Sequence, residues 1–222
     1  MNPFTGKRWL AGCLFLFLTS CERNTLKNPI AARTNTKLIP EYGINASQQL
    51  SAIRGSIRSG DLVTRTGNDF TSFCLRQFCQ TENTYSHCGI VLIENDTIFV
   101  YHALGGEFNP NQKILREPIE IFTSSLANLG FGIFRFEMTA DQQQQLQKIT
   151  RQTFQKGVSF DMEFDLATDE KMYCSEFTAK MYRIAFYNDT MFQESGIGGF
   201  RFLAPDNLYL HPLSTRLYQA EY

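Results

Sequence analysis

The 222-residue chain lacks a surplus of charge of either sign. It carries 21 Lys and Arg against 22 Asp and Glu, which gives a formal net charge of -1. Domains that bind nucleic acid usually carry a basic surplus that neutralises phosphates, so we expect no nucleic-acid partner. Hydrophobic residues make up 43% and charged residues 19%, a balance that is typical of a globular core and excludes a disordered chain.

Cysteine is sparse, and no two cysteines have C-x-x-C spacing. This excludes a zinc ribbon and a redox dithiol, so we expect no metal site and no cofactor. The sequence is also not that of a disulfide scaffold. The six cysteines are Cys13, Cys21, Cys74, Cys79, Cys88 and Cys174.

Long hydrophobic runs are missing, apart from one short run near the N-terminus. Lys7 and Arg8 precede WLAGCLFLFLTS, which is too short to span a bilayer but typical of a secretory signal. The run ends at LTSC, which resembles a bacterial lipobox and implies cleavage before Cys21 and lipid on its thiol. LAGC, which ends at Cys13, has similar letters but lies before the apolar run. A buried N-terminal helix and a plain signal peptide are the alternatives.

The first segments are therefore interpreted as a membrane anchor. We predict a lipoprotein signal peptide over residues 1–20 and a lipidated cysteine with a flexible tether over 21–44, where polar residues and prolines accumulate. Lipid would hold the protein on a membrane of the bacterial cell envelope, periplasmic or on the outer surface. The sequence leaves the oligomeric state open.

Residues 45–222 form the predicted folded domain, of α+β class with an antiparallel sheet packed against helices. Hydrophobic periodicity and capping residues predict its elements, and the tail from Phe186 is expected to form loops and short elements. Thr139 and Gln142 form a capping-box pattern, and Gly157 is expected to end that helix. The predicted helices span 47–57, 68–79, 139–157 and 175–186, and the predicted strands span 60–65, 88–93, 98–103, 113–122 and 131–137.

The stretch YCSEF places Cys174 where an acidic loop gives way to a helix. A helix N-terminus presents unpaired N–H groups and a partial positive charge, which favour the thiolate. Cys174 is therefore the candidate nucleophile. The alternative is that it is inert core, as most free cysteines are.

The base must be one of only three histidines, His87, His102 and His211. A hairpin turn at Asn95-Asp96 would pair Ile93 with Ile98 and would put His87 and His102 diagonally on one sheet face. An odd loop length would separate the two rings. Because successive strand residues face opposite sides, Cys88 cannot pair with His87 and is expected in the core.

Three motifs then resemble one family. GDLVTRTG (60–67), YSHCGIVL (85–92) and MYCSEFTAKMY (172–182) are similar to the signatures of circularly permuted papain-like hydrolases of the YiiX and YaeF type, which are related to NlpC-type peptidases and lecithin retinol acyltransferase. The resemblance implies a permuted papain-like fold, a nucleophile at Cys174 and a base at His87. Many relatives carry an acidic residue where this chain has His102. His102 is expected to orient His87, and Glu107 is the alternative for this role.

The sequence offers further candidates for the site. The backbone N–H of Cys174 and the hydroxyl of Tyr173 are candidates for stabilising an oxyanion, and Asp161 is a candidate for receiving a cationic substrate group. Asp61 is expected to cap or fix a turn at the start of its strand, and contact with substrate is the alternative.

The predicted function is a membrane-anchored thiol hydrolase that cleaves an amide bond in cell-wall or other peptides. A lipid or acyl ester hydrolase or acyltransferase, and a binding lipoprotein with a vestigial site, are the alternatives.

Overall fold

A computed structural model describes residues 38–222. The predicted signal peptide and Cys21 lie outside the described residues. No helix within 38–222 is long and apolar enough to cross a bilayer. The helices are α1 (Leu38–Arg54), α2 (Phe70–Arg76), α3 (Ile119–Phe122), α4 (Ala140–Lys156), α5 (Cys174–Phe186) and α6 (Pro205–Tyr209), and the strands are β1 (Leu62–Gly67), β2 (His87–Glu94), β3 (Thr97–His102), β4 (Leu115–Pro118), β5 (Asn128–Phe136), β6 (Ser195–Ile197), β7 (Phe200–Phe202) and β8 (Ser214–Glu221).

A six-stranded sheet organises the domain, with strand order β4-β3-β2-β1-β5-β8. Every neighbouring pair in it is antiparallel. The predicted α+β class with an antiparallel sheet is therefore confirmed.

The hairpin between β2 and β3 has the register that the sequence predicts. Asn95 and Asp96 have φ angles of 48° and 63°, and two left-handed residues in succession are what a type I′ turn requires. Ile93 consequently pairs with Ile98. Because the loop has an even number of residues, the side chains of His87 and His102 lie on the same face of the sheet.

The sheet separates two hydrophobic cores. Helix α5 packs on one face, where Phe177 and Ala179 meet Ile90 and Leu92 of β2. Helices α1 and α3 cover the other face, where Phe122 is fully buried. Burial of apolar surface on both faces fixes the strand phase, since a one-residue slip would exchange the faces.

The caps of α4 are also those expected from the sequence. The Thr139 hydroxyl accepts the N–H of Gln142 at 3.2 Å, and the Gln142 side-chain oxygen accepts the N–H of Thr139 at 2.9 Å. Gly157 ends the helix with a φ of 70°, in the left-handed region that favours glycine.

Three elements differ from the expectations. Strand β8 completes the sheet beside β5, although the tail was expected to form only loops and short elements. The predicted strand 113–122 stops at Pro118, where α3 begins. Helix α1 begins at Leu38, inside the predicted tether, with Pro40 in its first turn, where proline is tolerated.

Candidate active site

Cys174 is the first residue of α5. Tyr173 precedes it as the N-cap in extended conformation, with φ -90° and ψ 173°. The N–H of Tyr173 donates to Glu176 Oε2 at 3.2 Å, so Glu176 fixes the first turn of the helix. The thiol therefore lies at the positive end of the helix, as the sequence predicts.

A second thiol shares this environment. Cys88 Sγ and Cys174 Sγ lie 3.8 Å and 3.7 Å from the hydroxyl oxygen of Ser175. The hydrogen bond from Cys88, with the charge and hydrogen bond of His87, lowers the pKa of the Cys174 thiol well below its usual value against the opposing effect of burial. Burial raises the pKa of Cys88, which therefore stays protonated and can donate.

His87 and His102 contact each other directly. His87 Nε2 lies 2.8 Å from His102 Nδ1, and the two ring planes are at 84°. Both rings pack on Phe122, with ring centroids 5.7 Å and 5.0 Å away. Because Nε2 of His87 is engaged by His102, Nδ1 of His87 is the nitrogen left to serve the Cys174 thiol.

Glu117 lies behind His102 on β4. His102 Nε2 is 3.1 Å from Glu117 Oε1. The distance is short, but the oxygen lies outside the angle that a well-aligned N–H hydrogen bond requires. Burial lowers the pKa of His102 to about 4, so this ring is neutral at physiological pH. Burial by itself would raise the pKa of Glu117, but His102 and the charge of Arg65 outweigh it and lower that pKa.

Arg65 brings a positive charge to the same cluster. It pairs with His87 across β1 and β2, so the two side chains share a sheet face. Its guanidinium carbon lies 4.6 Å from the ring centroid of Phe122, and its Nη1 donates to the Phe122 carbonyl at 3.2 Å. Arg65 is therefore held in place by Phe122, and its charge acts on Glu117 and on Cys174.

Three other candidates lie in different surroundings. The Tyr173 hydroxyl accepts the N–H of Leu203 at 2.7 Å and is buried. The two carboxylate oxygens of Asp161 accept the N–H groups of Glu163 and Asp165, so this buried side chain shapes its own loop. Glu107 is exposed in a turn, and His102 is the residue that contacts His87.

Sequence reasoning did not find Glu117, Arg65 or Phe122. Arg65 stands inside the quoted motif GDLVTRTG, and its pairing with His87 follows only once the β1–β2 register is known. Glu117 pairs with Val100, next but one to His102 along β3. The long connection between β3 and β4 leaves that register unspecified in the sequence.

The chain matches a known protein family. Residues 56–195 match the family described as permuted papain-like amidase enzymes of the YaeF/YiiX type. The chain belongs to this family. It is therefore a papain-like cysteine hydrolase, as the three sequence motifs predict.

A solved structure has the same fold. The crystal structure of yiiX from Escherichia coli, described as a metalloprotein, superposes with a TM-score of 0.60 at 18% identity, over 74% of this chain and 98% of that one. Within residues 38–222 no group of three or more His, Cys, Asp and Glu side chains is arranged to hold a metal ion. The search of curated proteins found no match.

Proposed function

We propose that this amidase is a lipid-anchored enzyme of the bacterial cell envelope that hydrolyses an amide bond in a peptide through Cys174, His87 and His102. The observation that carries the proposal is the direct contact of His87 with His102 beside a thiol of lowered pKa at a helix N-terminus. A thiolate, a base and an orienting group are what nucleophilic catalysis on an acyl carbon requires.

The reaction would begin with attack of the Cys174 thiolate on the amide carbonyl carbon. The carbonyl oxygen becomes an oxyanion, for which the backbone N–H of Cys174 at the start of the helix is the proposed donor. As the C–N bond breaks, His87 Nδ1 gives its proton to the leaving amine.

A thioester between substrate and enzyme then remains. Neutral His87 takes a proton from water, the hydroxide adds to the thioester carbon, and Cys174 leaves as thiolate while the carboxylic acid is released. His102 holds the His87 ring throughout, because Nε2 of His87 keeps its partner 2.8 Å away.

An acyl ester substrate is the second candidate, supported by exposed aromatic side chains on α2. Phe70 and Phe73 are 67% and 51% exposed, and their rings stack with centroids 6.5 Å apart. Helix α2 follows β1 at the end where Arg65 pairs with His87. Apolar surface at this end of the sheet suits the acyl chain of a lipid.

Labelling with a thiol-directed chloroacetamide probe tests the nucleophile. Near neutral pH the probe is expected to modify Cys174 within minutes and Cys79 far more slowly, because burial, followed by the charge of Asp206, raises the pKa of Cys79 to about 12. Cys174→Ala should abolish the fast phase and Cys79→Ala should preserve it. Site-resolved mass spectrometry reads both, and a fast phase on any other cysteine contradicts the proposal.

A matched pair of substrates separates the two candidates. Peptidoglycan fragments and acyl esters are incubated with the wild type and with Cys174→Ala, and products are quantified by mass spectrometry. Release of amine that depends on Cys174 supports the amidase. Turnover of esters with intact peptides supports the second candidate.

Membrane attachment is tested at the predicted lipobox. Cys21→Ala is expected to move nearly all of the protein from the membrane fraction to the soluble fraction, because multiple acyl chains give stable anchoring. Cys13→Ala is the matched control and should leave the protein in the membrane fraction. Membrane retention of Cys21→Ala to the wild-type level would contradict the anchor.

A further inference from the structure

A buried polar chain runs behind the proposed nucleophile. It passes from His87 through His102 to Glu117. His87 Nε2 and His102 Nδ1 are 2.8 Å apart, and His102 Nε2 and Glu117 Oε1 are 3.1 Å apart. His102 is completely buried, its Nδ1 contacts His87, and its Nε2 faces the carboxylate of Glu117. The position of a proton on the His102 ring therefore depends on these two neighbours.

His102 can carry only one ring proton, because burial keeps the ring neutral. A proton on Nδ1 would leave the lone pair of Nε2 facing the carboxylate of Glu117 at 3.1 Å, which is repulsive. A proton on Nε2 removes the repulsion and frees Nδ1 to accept. In that tautomer His102 accepts the Nε2–H of His87, which is the bond that the imidazolium form of His87 needs.

We infer that Glu117 is a positioning residue of the amidase: it holds the proton of His102 on Nε2, so that His102 Nδ1 can orient and stabilise the imidazolium of His87. The inference rests on the proposed function. The carboxylate of Glu117 lies on β4, next to the strand that carries His102, and acts on His87 through the second imidazole.

Nitrogen NMR of histidine-labelled protein tests the tautomer without any substrate. The chain has three histidines, so the spectrum is simple to assign with the variants His87→Gln and His211→Gln. In the wild type we expect His102 to be protonated at Nε2 and unprotonated at Nδ1. Glu117→Gln is expected to give a mixed tautomer, and a wild-type His102 protonated at Nδ1 would overturn the inference.

The pH dependence of Cys174 alkylation provides the second readout. Loss of the carboxylate weakens the thiolate–imidazolium pair, so Glu117→Gln should move the acid limb of the rate profile upward by about one pH unit, or about tenfold in rate on that limb. Glu94→Gln is the matched control. Its carboxylate is also partly buried in the sheet and paired with Arg116, but it lies outside the chain of imidazoles.

The two hypotheses fail in distinguishable ways. If Cys174 shows no fast alkylation, the proposed function fails, although the tautomer of His102 can still be read by NMR. If Cys174 reacts fast and Glu117→Gln has the wild-type acid limb and the wild-type tautomer, the role of Glu117 is wrong while the amidase stands. A shift of the same size in Glu94→Gln would also overturn the role, since it would show a general effect of charge.

Discussion

Replacing Cys174 with alanine is expected to lower kcat/KM for the amide substrate by roughly 10⁶-fold, the loss seen when the nucleophile of a catalytic triad is removed. The sulfur of Cys174 is the only protein atom that forms a covalent bond to substrate carbon in the proposed reaction. Removing it also leaves His87 without the thiol that it serves. Steady-state kinetics at neutral pH measure the loss.

His87→Gln is expected to cost a similar factor, and the double variant Cys174→Ala/His87→Gln no more than either single change. Residues that act as one unit are non-additive, because each single loss already disables the step that both perform. A double variant with the product of the two single losses would show that the two residues act independently, which would contradict the proposed pair.

The controls come from residues of the same type in other surroundings. His211→Gln should keep wild-type kcat/KM, since His211 packs against Phe136 and Phe192 and its Nδ1 accepts the N–H of Leu213. Cys79→Ala should also keep it. Loss of activity in either control would indicate that the active site is not the one proposed around Cys174.

Local chemistry explains which parts of the fold the sequence predicts. The ends of α4 are decided within a few residues by Thr139 and Gly157, and the β2–β3 register is decided by the turn at Asn95-Asp96. Strand β8 was missed because most of its side chains are exposed or half-buried, which leaves only a weak alternation. Helix α3 was missed because a short apolar run does not distinguish a strand from a helical turn.

The same division applies to the site. The positions of Cys174 at a helix start and of two histidines on one hairpin depend on local geometry, so the sequence predicts them. Glu117 and Arg65 enter through pairings between distant strands, whose register is set by packing on both faces of the sheet. The proximity of Cys88 to Cys174 depends on how α5 lies on the sheet, which no local pattern specifies.

The signature Gly60-Asp61 joins several elements and lies among structural contacts. Asp61 is buried, and its two carboxylate oxygens accept Nε and Nη2 of Arg135 on β5, both at 2.7 Å. One of these oxygens also accepts the N–H of Arg58 at 2.8 Å. The carbonyl of Gly60 accepts the hydroxyl of Tyr182 on α5 at 2.9 Å. The motif therefore ties the start of β1 to β5 and to the helix that carries the nucleophile.

Asp61→Ala is accordingly expected to lower the free energy of unfolding by about 3 to 5 kcal/mol, because the guanidinium of Arg135 would stay buried without its partner. Urea denaturation followed by circular dichroism measures the change. The exposed ion pair of Arg54 and Glu120 supplies the control, and Glu120→Ala should cost about 1 kcal/mol or less.

The two readings of this motif predict opposite patterns of stability and turnover. If Asp61 only fixes the fold, the folded fraction of Asp61→Ala keeps the alkylation rate of Cys174 and the pH profile of the wild type, while its midpoint in urea falls. If Asp61 touched substrate, Asp61→Ala would instead raise KM and leave the stability of the protein unchanged. The bidentate contact with Arg135 occupies both carboxylate oxygens, which leaves no oxygen of Asp61 without a strong donor and favours the first pattern.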